Sequence, residues 1–154
     1  MPFTQTRWLR AAGMAGITGS RTALGPALAV RRSGGSGWRR ASVYLMAALE
    51  LLGDKLPRSP NRTAPLGLAL RVVSGAGVAR AMLDGRQRGR AAAAGALGLG
   101  AAAAILGAFA GLGLRRALTR RLGGGALANA IAGTIEDAAL LLIGSRLASR
   151  ADTQ

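Results

Sequence analysis

A chain of 154 residues has room for one domain, and this one is half apolar yet holds five aromatic residues beside 24 glycines. Ala, Gly and Leu fill a water-soluble core poorly, whereas small side chains are what close helix packing in lipid uses. The net charge is +15, nearly all of it arginine, with Lys55 the one lysine. Cysteine and histidine are both absent, which excludes disulfides, thiol nucleophiles, Cys/His metal sites and imidazole acid–base chemistry.

The first apolar segment covers residues 11–30 and is interrupted by Arg21 and Pro26. Those interruptions argue against a secretory signal peptide, although Arg7, Arg10 and "ALA" at 27–29 have the right flavour for one. Pro26, after Gly25, is where the segment is expected to break or kink. The next apolar segment, residues 41–53, is short and contains Glu50; it either spans with help from its flanks or is re-entrant. In "ALELLGDKLP" (48–57), Glu50 and Asp54 stand at i and i+4 and share one helix face. Lys55 and Pro57 mark a helix end at the headgroup level.

Residues 64–83 form a third segment, carrying Arg71 and Arg80. The clearest span is "AAAAGALGLGAAAAILGAFAGLGL", residues 91–114, which is uncharged and meets the requirement of about 20 residues for a hydrocarbon core of about 30 Å. Its six glycines argue against a water-exposed helix, where each costs about 1 kcal/mol relative to Ala. Gly107-x-x-x-Gly111 gives it a small-residue face for a packing helix, and Arg115 closes it. The last segment, 126–145, contains Glu136 and Asp137.

Arginine-rich stretches at 31–40, 55–62, 84–90 and 115–125 separate the segments, and their Gly, Ser and Pro content predicts turns or loops. Trp8 and Trp38 precede apolar segments, where an interfacial aromatic belt would put them. With all five segments crossing, nine basic residues fall on one side and ten on the other, so the positive-inside rule gives no orientation. A faint repeat relates "AGITGSRTAL" (15–24) to "AGLGLRRAL" (110–118), each followed by an acidic apolar helix. An inverted pair of such units would fit a transporter-like topology.

Four of the six acids fall in or beside apolar segments. An acid at the centre of a membrane helix costs on the order of 2.5–3.5 kcal/mol, so Glu136 and Asp137 need a partner, a wet cavity or the headgroup zone. Such residues are a functional-site hypothesis by default, and the candidate intramembrane cluster is Arg21, Glu50, Asp54, Arg115, Glu136 and Asp137, with Arg71 a further cation in reach. Glu136 shares a face with Ala132, Gly133, Ala139 and Leu140; Asp137 points about 100° away and need not serve the same partner. Buried ion pairs often break even energetically, so these charges either glue helices together or line a polar path.

No P-loop, dinucleotide fingerprint, hydrolase triad or His-containing di-metal motif is present, so neither an enzyme nor a cofactor is expected. "GSRTALGP" (19–26), "ELLGDKLP" (50–57) and "IED" (135–137) resemble the pattern of a bacterial membrane-protein family catalogued as domain of unknown function 4126. The resemblance covers most of the chain. It implies a small multi-pass protein of the bacterial cytoplasmic (inner) membrane, with Arg21, Glu50, Asp54, Lys55, Pro57, Glu136 and Asp137 at the family-pattern positions.

The expectation is thus an all-α polytopic transmembrane helical bundle, one integral membrane domain of about five segments, some short or broken. Its partner is the lipid bilayer, with a homo-oligomer allowed by the glycine faces. The acids would handle a small ion, a proton or a solute. The alternative is a non-transporting scaffold in which charges only pair helices. A nucleic-acid partner is not expected: the arginines cluster between apolar segments and no aromatic stacking platform accompanies them.

Overall fold

The computed structural model describes residues 2–33, 36–53, 65–83 and 89–149. The described residues are all α, in six helices: α1 (Pro2–Ser20), α2 (Leu24–Ser33), α3 (Gly37–Gly53), α4 (Pro65–Leu83), α5 (Arg90–Arg121) and α6 (Gly125–Ser149). Three of them, α4, α5 and residues Gly125–Ala148 of α6, are long and apolar enough to cross a membrane. That is fewer than the five segments expected, and it supports a membrane protein.

The first segment is the main departure. It is two helices, and the interruption falls at Arg21–Ala23 rather than at Gly25-Pro26. Pro26 sits in the first turn of α2, where its missing N–H is one that no intrahelical carbonyl would have bonded. The last α1-type bond runs from Arg21 N to Ile17 O and the first of α2 from Ala27 N to Ala23 O. After the break α2 folds back along α1. Gly25 has no room for a Cβ because Thr18 Oγ1 occupies that position, and Leu28 and Ile17 both abut Gly144 of α6. The Thr18 hydroxyl donates to Met14 O at 3.0 Å. α1 and α2 are therefore a helical hairpin with its tip at Arg21–Ala23.

Glycine and alanine set how the other helices meet. α1 runs parallel to α5, from Trp8 beside Gly95 to Ser20 beside Gly111, with Gly16 close to Gly107 and Gly19 close to Ala104 where the two helices cross. α4 is antiparallel to α5, Gly75 facing Ala104 and Ala79 facing Gly100. α6 is antiparallel to both α1 and α5: Gly13 abuts Leu147, and Gly111 abuts Glu136. Gly107 lies against Gly16 and Gly111 against Ser20 and Glu136, all within the chain. The two repeat-like stretches lie side by side on parallel helices, so they are not an inverted pair. One breaks after Arg21 while the other continues as helix through Arg121.

That continuation also corrects the expected loop at 115–125. "RRALTRR" is made mostly of strong helix formers, and α5 stops only at the glycines. Gly124 N–H donates to Thr119 O at 2.9 Å and Gly123 N–H to Arg120 O at 3.2 Å, with Gly123 at φ +89°. This is a Schellman cap, which needs a residue tolerant of left-handed backbone at that position. The predicted loop at 31–40 is likewise mostly helix, α2 reaching Ser33 and α3 starting at Gly37.

Burial is inverted relative to a water-soluble domain. The inner positions are mostly Ala, with Met14, Ile17, Leu24, Leu28 and Val78 the bulkiest apolar contributors near the hairpin. Leu66, Leu70, Val73, Leu106, Phe109, Ile135 and Leu142 point outward. Trp8 packs against the Ala11–Ala15–Ala79–Leu83–Ala96 cluster, whereas Trp38 is 83% exposed.

A Cβ on Gly107 would fall on the backbone of Gly16, while one on Gly113 would meet nothing within 4 Å. Gly107→Ala should therefore lower stability by about 1–3 kcal/mol, the usual penalty for overpacking, and Gly113→Ala should not. Thermal unfolding of the two variants in the same detergent checks this.

Candidate functional site: charges gathered at a helix break

The hairpin tip is where the six helices bring polar groups together. Arg21 closes α1 and points toward α6: its Nε donates to Asp137 Oδ1 at 2.8 Å, and its Nη2 lies 2.5 Å from the same oxygen. Arg21 is 2% exposed and Asp137 is buried with it. Charge-assisted bonds of this length are the strong class. They are also required here, since an isolated guanidinium taken out of water carries a penalty of several kcal/mol.

The next two residues present the start of α2. Thr22 N–H donates to Glu50 Oε1 and Ala23 N–H to Glu50 Oε2, both at 2.7 Å. A helix N-terminus leaves amides without intrahelical acceptors and carries partial positive charge. Glu50, reaching over from α3, answers both properties with one carboxylate. Arg71 on α4, buried, places its Nη2 3.9 Å from Glu50 Oε1, close enough for attraction and too far for a hydrogen bond. Ser20, last residue of α1, donates its hydroxyl to Gly107 O at 2.9 Å.

Glu136 takes a different direction. It is 2% exposed and its Oε1 lies 2.9 Å from where a Cβ on Gly111 would be. A side chain at 111 would therefore displace the carboxylate, and glycine there makes its room. One turn further along α5, the Arg115 guanidinium lies over Gly133, whose added Cβ would be 3.0 Å from Nη2. Arg115 Nε donates to Asn129 Oδ1 at 2.9 Å. Glu136 and Arg115 thus occupy neighbouring turns of one α5–α6 seam, and Asp137 faces the hairpin. Glu136 faces Gly111 and Asp137 faces Arg21.

Of the expected cluster, the tip gathers Arg21, Glu50 and Asp137 directly, with Arg71; Glu136 and Arg115 line the adjoining seam. Asp54, Lys55 and Pro57 lie outside the described residues. Among the described residues no three acids come together. Asn129 and the Thr22 and Ala23 amides that donate to Glu50 add to the expected cluster. The amides leave no signature in residue type, but Asn129 does: a lone amide residue in an apolar helix, four and seven positions before Gly133 and Glu136. Compared with family models, curated proteins and solved structures, the chain finds no match.

Removing either side of the Arg21–Asp137 pair strands a buried charge, which typically costs about 3–5 kcal/mol. Arg21→Met and Asp137→Leu should each destabilise by that order. The double variant should be more stable than either single one, because no charge is left alone. Unfolding midpoints of all three in detergent test it.

Proposed function

We propose that this chain is a small multi-pass membrane protein of transporter-like or channel-like kind, in which the carboxylates at the helix break bind a small cation or pass protons. The observation that carries the reading is the interruption of the first helical pair at Arg21–Ala23, inside the packed bundle, with Glu50 and Asp137 brought to it from two other helices. Irregular backbone at membrane depth is tolerated where it is enclosed by protein or lines a cavity. Discontinuous helices and intramembrane acids recur at substrate and proton sites. Membership of the family catalogued as domain of unknown function 4126, and with it the bacterial cytoplasmic membrane, belongs to the same proposal and rests on the three motifs quoted above.

A second reading, a non-transporting scaffold, draws on a specific observation as well. The Arg21–Asp137 and Glu50–amide bonds are short and internal to the chain, as structural pairs would be. In that reading copies associate through outward glycines such as Gly77, Gly98 and Gly113, beside which space is open, because Gly107 and Gly111 are already engaged.

Reconstitution into liposomes separates the two. With a trapped pH-sensitive dye and an imposed potential, the transporting protein conducts protons or a monovalent cation. Glu50→Gln and Glu136→Gln abolish the flux and still elute as a single species in detergent. No flux from the unaltered protein, or variants that are degraded rather than silent, would favour the scaffold.

A further inference from the structure

α1 and α2 meet at the hairpin tip and α3, α4 and α6 reach its level, and each of these five helices carries an arginine at nearly the same distance from it toward one end of the bundle. From Arg21 back to Arg10 on α1 is 11 residues, from Ala23 to Arg31 on α2 is 8, from Glu50 back to Arg40 on α3 is 10, from Arg71 to Arg80 on α4 is 9, and from Asp137 to Arg146 on α6 is 9. At 1.5 Å per residue these are about 12–17 Å. In the opposite direction, Arg120 and Arg121 on α5 follow Gly111, which touches the tip residue Ser20, by 9 and 10 residues, again about 15 Å. Half of a hydrocarbon core is about 15 Å. The outward large apolar side chains, from Leu97 to Leu114 on α5 and from Leu127 to Ile143 on α6, occupy the interval between.

The contacts agree on which ends share a face. Trp8 abuts Gly95 and joins Leu83, and Leu147 abuts Gly13, so the start of α1, the end of α4, the start of α5 and the end of α6 lie together. Because α2 folds back on α1, its end and the start of α3 join them. By position in the helices, that face holds Arg7, Arg10, Arg31, Arg32, Arg39, Arg40, Arg80, Arg90 and Arg146, and the other holds Arg116, Arg120 and Arg121. Among the described residues the count is nine against three, with Arg21, Arg71 and Arg115 buried between. Treating residues 11–30 as a crossing span sets Arg7 and Arg10 on the side opposite Arg31 and Arg32, which contributes to the apparent balance of the two sides.

We infer that the nine-arginine face rests on the anionic headgroups of the cytoplasmic leaflet, and that α1–α2 enters from that side as a re-entrant hairpin whose tip, Arg21–Ala23, stops at mid-membrane. Arginine near helix ends biases orientation toward the cytoplasm, and basic side chains at a surface are drawn to anionic lipid. The inference rests on the membrane part of the proposed function and on none of its transport chemistry.

The chain has no native cysteine, so single cysteines report sidedness cleanly. Gln5→Cys, Gly37→Cys and Ala91→Cys probe the arginine-rich face; Leu122→Cys and Ala126→Cys probe the other. All five positions are exposed. In intact bacterial spheroplasts a membrane-impermeant maleimide labels Leu122→Cys and Ala126→Cys and spares the other three, and lysis restores labelling of those three. The reverse pattern, or equal labelling of both faces, overturns the leaflet assignment. Gln5→Cys and Gly37→Cys on opposite sides overturns the hairpin, since a spanning first segment requires that. Alkaline carbonate extraction of the unaltered chain is run alongside: its release from membranes overturns the membrane reading itself, whereas loss of ion flux in liposomes leaves this topology untouched.

Discussion

An α-helix that stops against other helices leaves amide groups without intrahelical acceptors, and much of this structure answers that constraint. Thr22 and Ala23 offer two such groups. No local side chain caps them; the acceptor comes from Glu50, on a separate helix. Arg21, turned out of α1 by the same break, is held by Asp137 from α6. Two carboxylates from distant parts of the chain therefore fix the hairpin tip against α3 and α6. An unsatisfied buried amide costs about 1–3 kcal/mol and a stranded charge more, so both partners contribute to holding the break.

The second constraint is thickness. Placing arginine and glutamate between helices leaves room for little else, so the backbones must otherwise approach to glycine distance. Gly16 meets Gly107, Gly19 meets Ala104, and Gly75 meets Gly100. Larger apolar side chains then have no place inside and project outward. In water an apolar surface of that extent marks an interaction site or an aggregation liability; in lipid it is the solvated face. Small core, charged centre and greasy exterior are one solution, and each part requires the others.

Much of this was legible in the sequence. The 24-residue apolar run at 91–114 and its glycines announce a membrane-type helix, and helical geometry alone puts Glu136 and Asp137 on faces about 100° apart. Arg21, Glu50 and Asp137 were picked out because charge in an apolar segment is expensive. What could not be read was the path of the chain between them. A helix that bends back at Arg21 and one that continues past Arg115 have similar local sequences, "GSRTAL" and "GLRRAL". The difference is decided by Thr18 receiving Gly25, and by Glu50 and Asp137, which lie 27 to 116 residues away. Proline misled in the same way: Pro26 looks like a breaker, but the break precedes it and the ring merely occupies a first turn that suits it.

The separation of Arg21 from Asp137 has a consequence for how the molecule is made. Glu50 leaves the ribosome 28 residues after Thr22, but Asp137 follows Arg21 by 116. At about 5–20 residues per second that is a wait of roughly 6–23 s, during which the hairpin exists without its counter-ion. For that interval the guanidinium has to stay hydrated, so the hairpin can first rest at the lipid surface and sink to its final depth only when α6 arrives. The last helix synthesised would then be the one that seats the first.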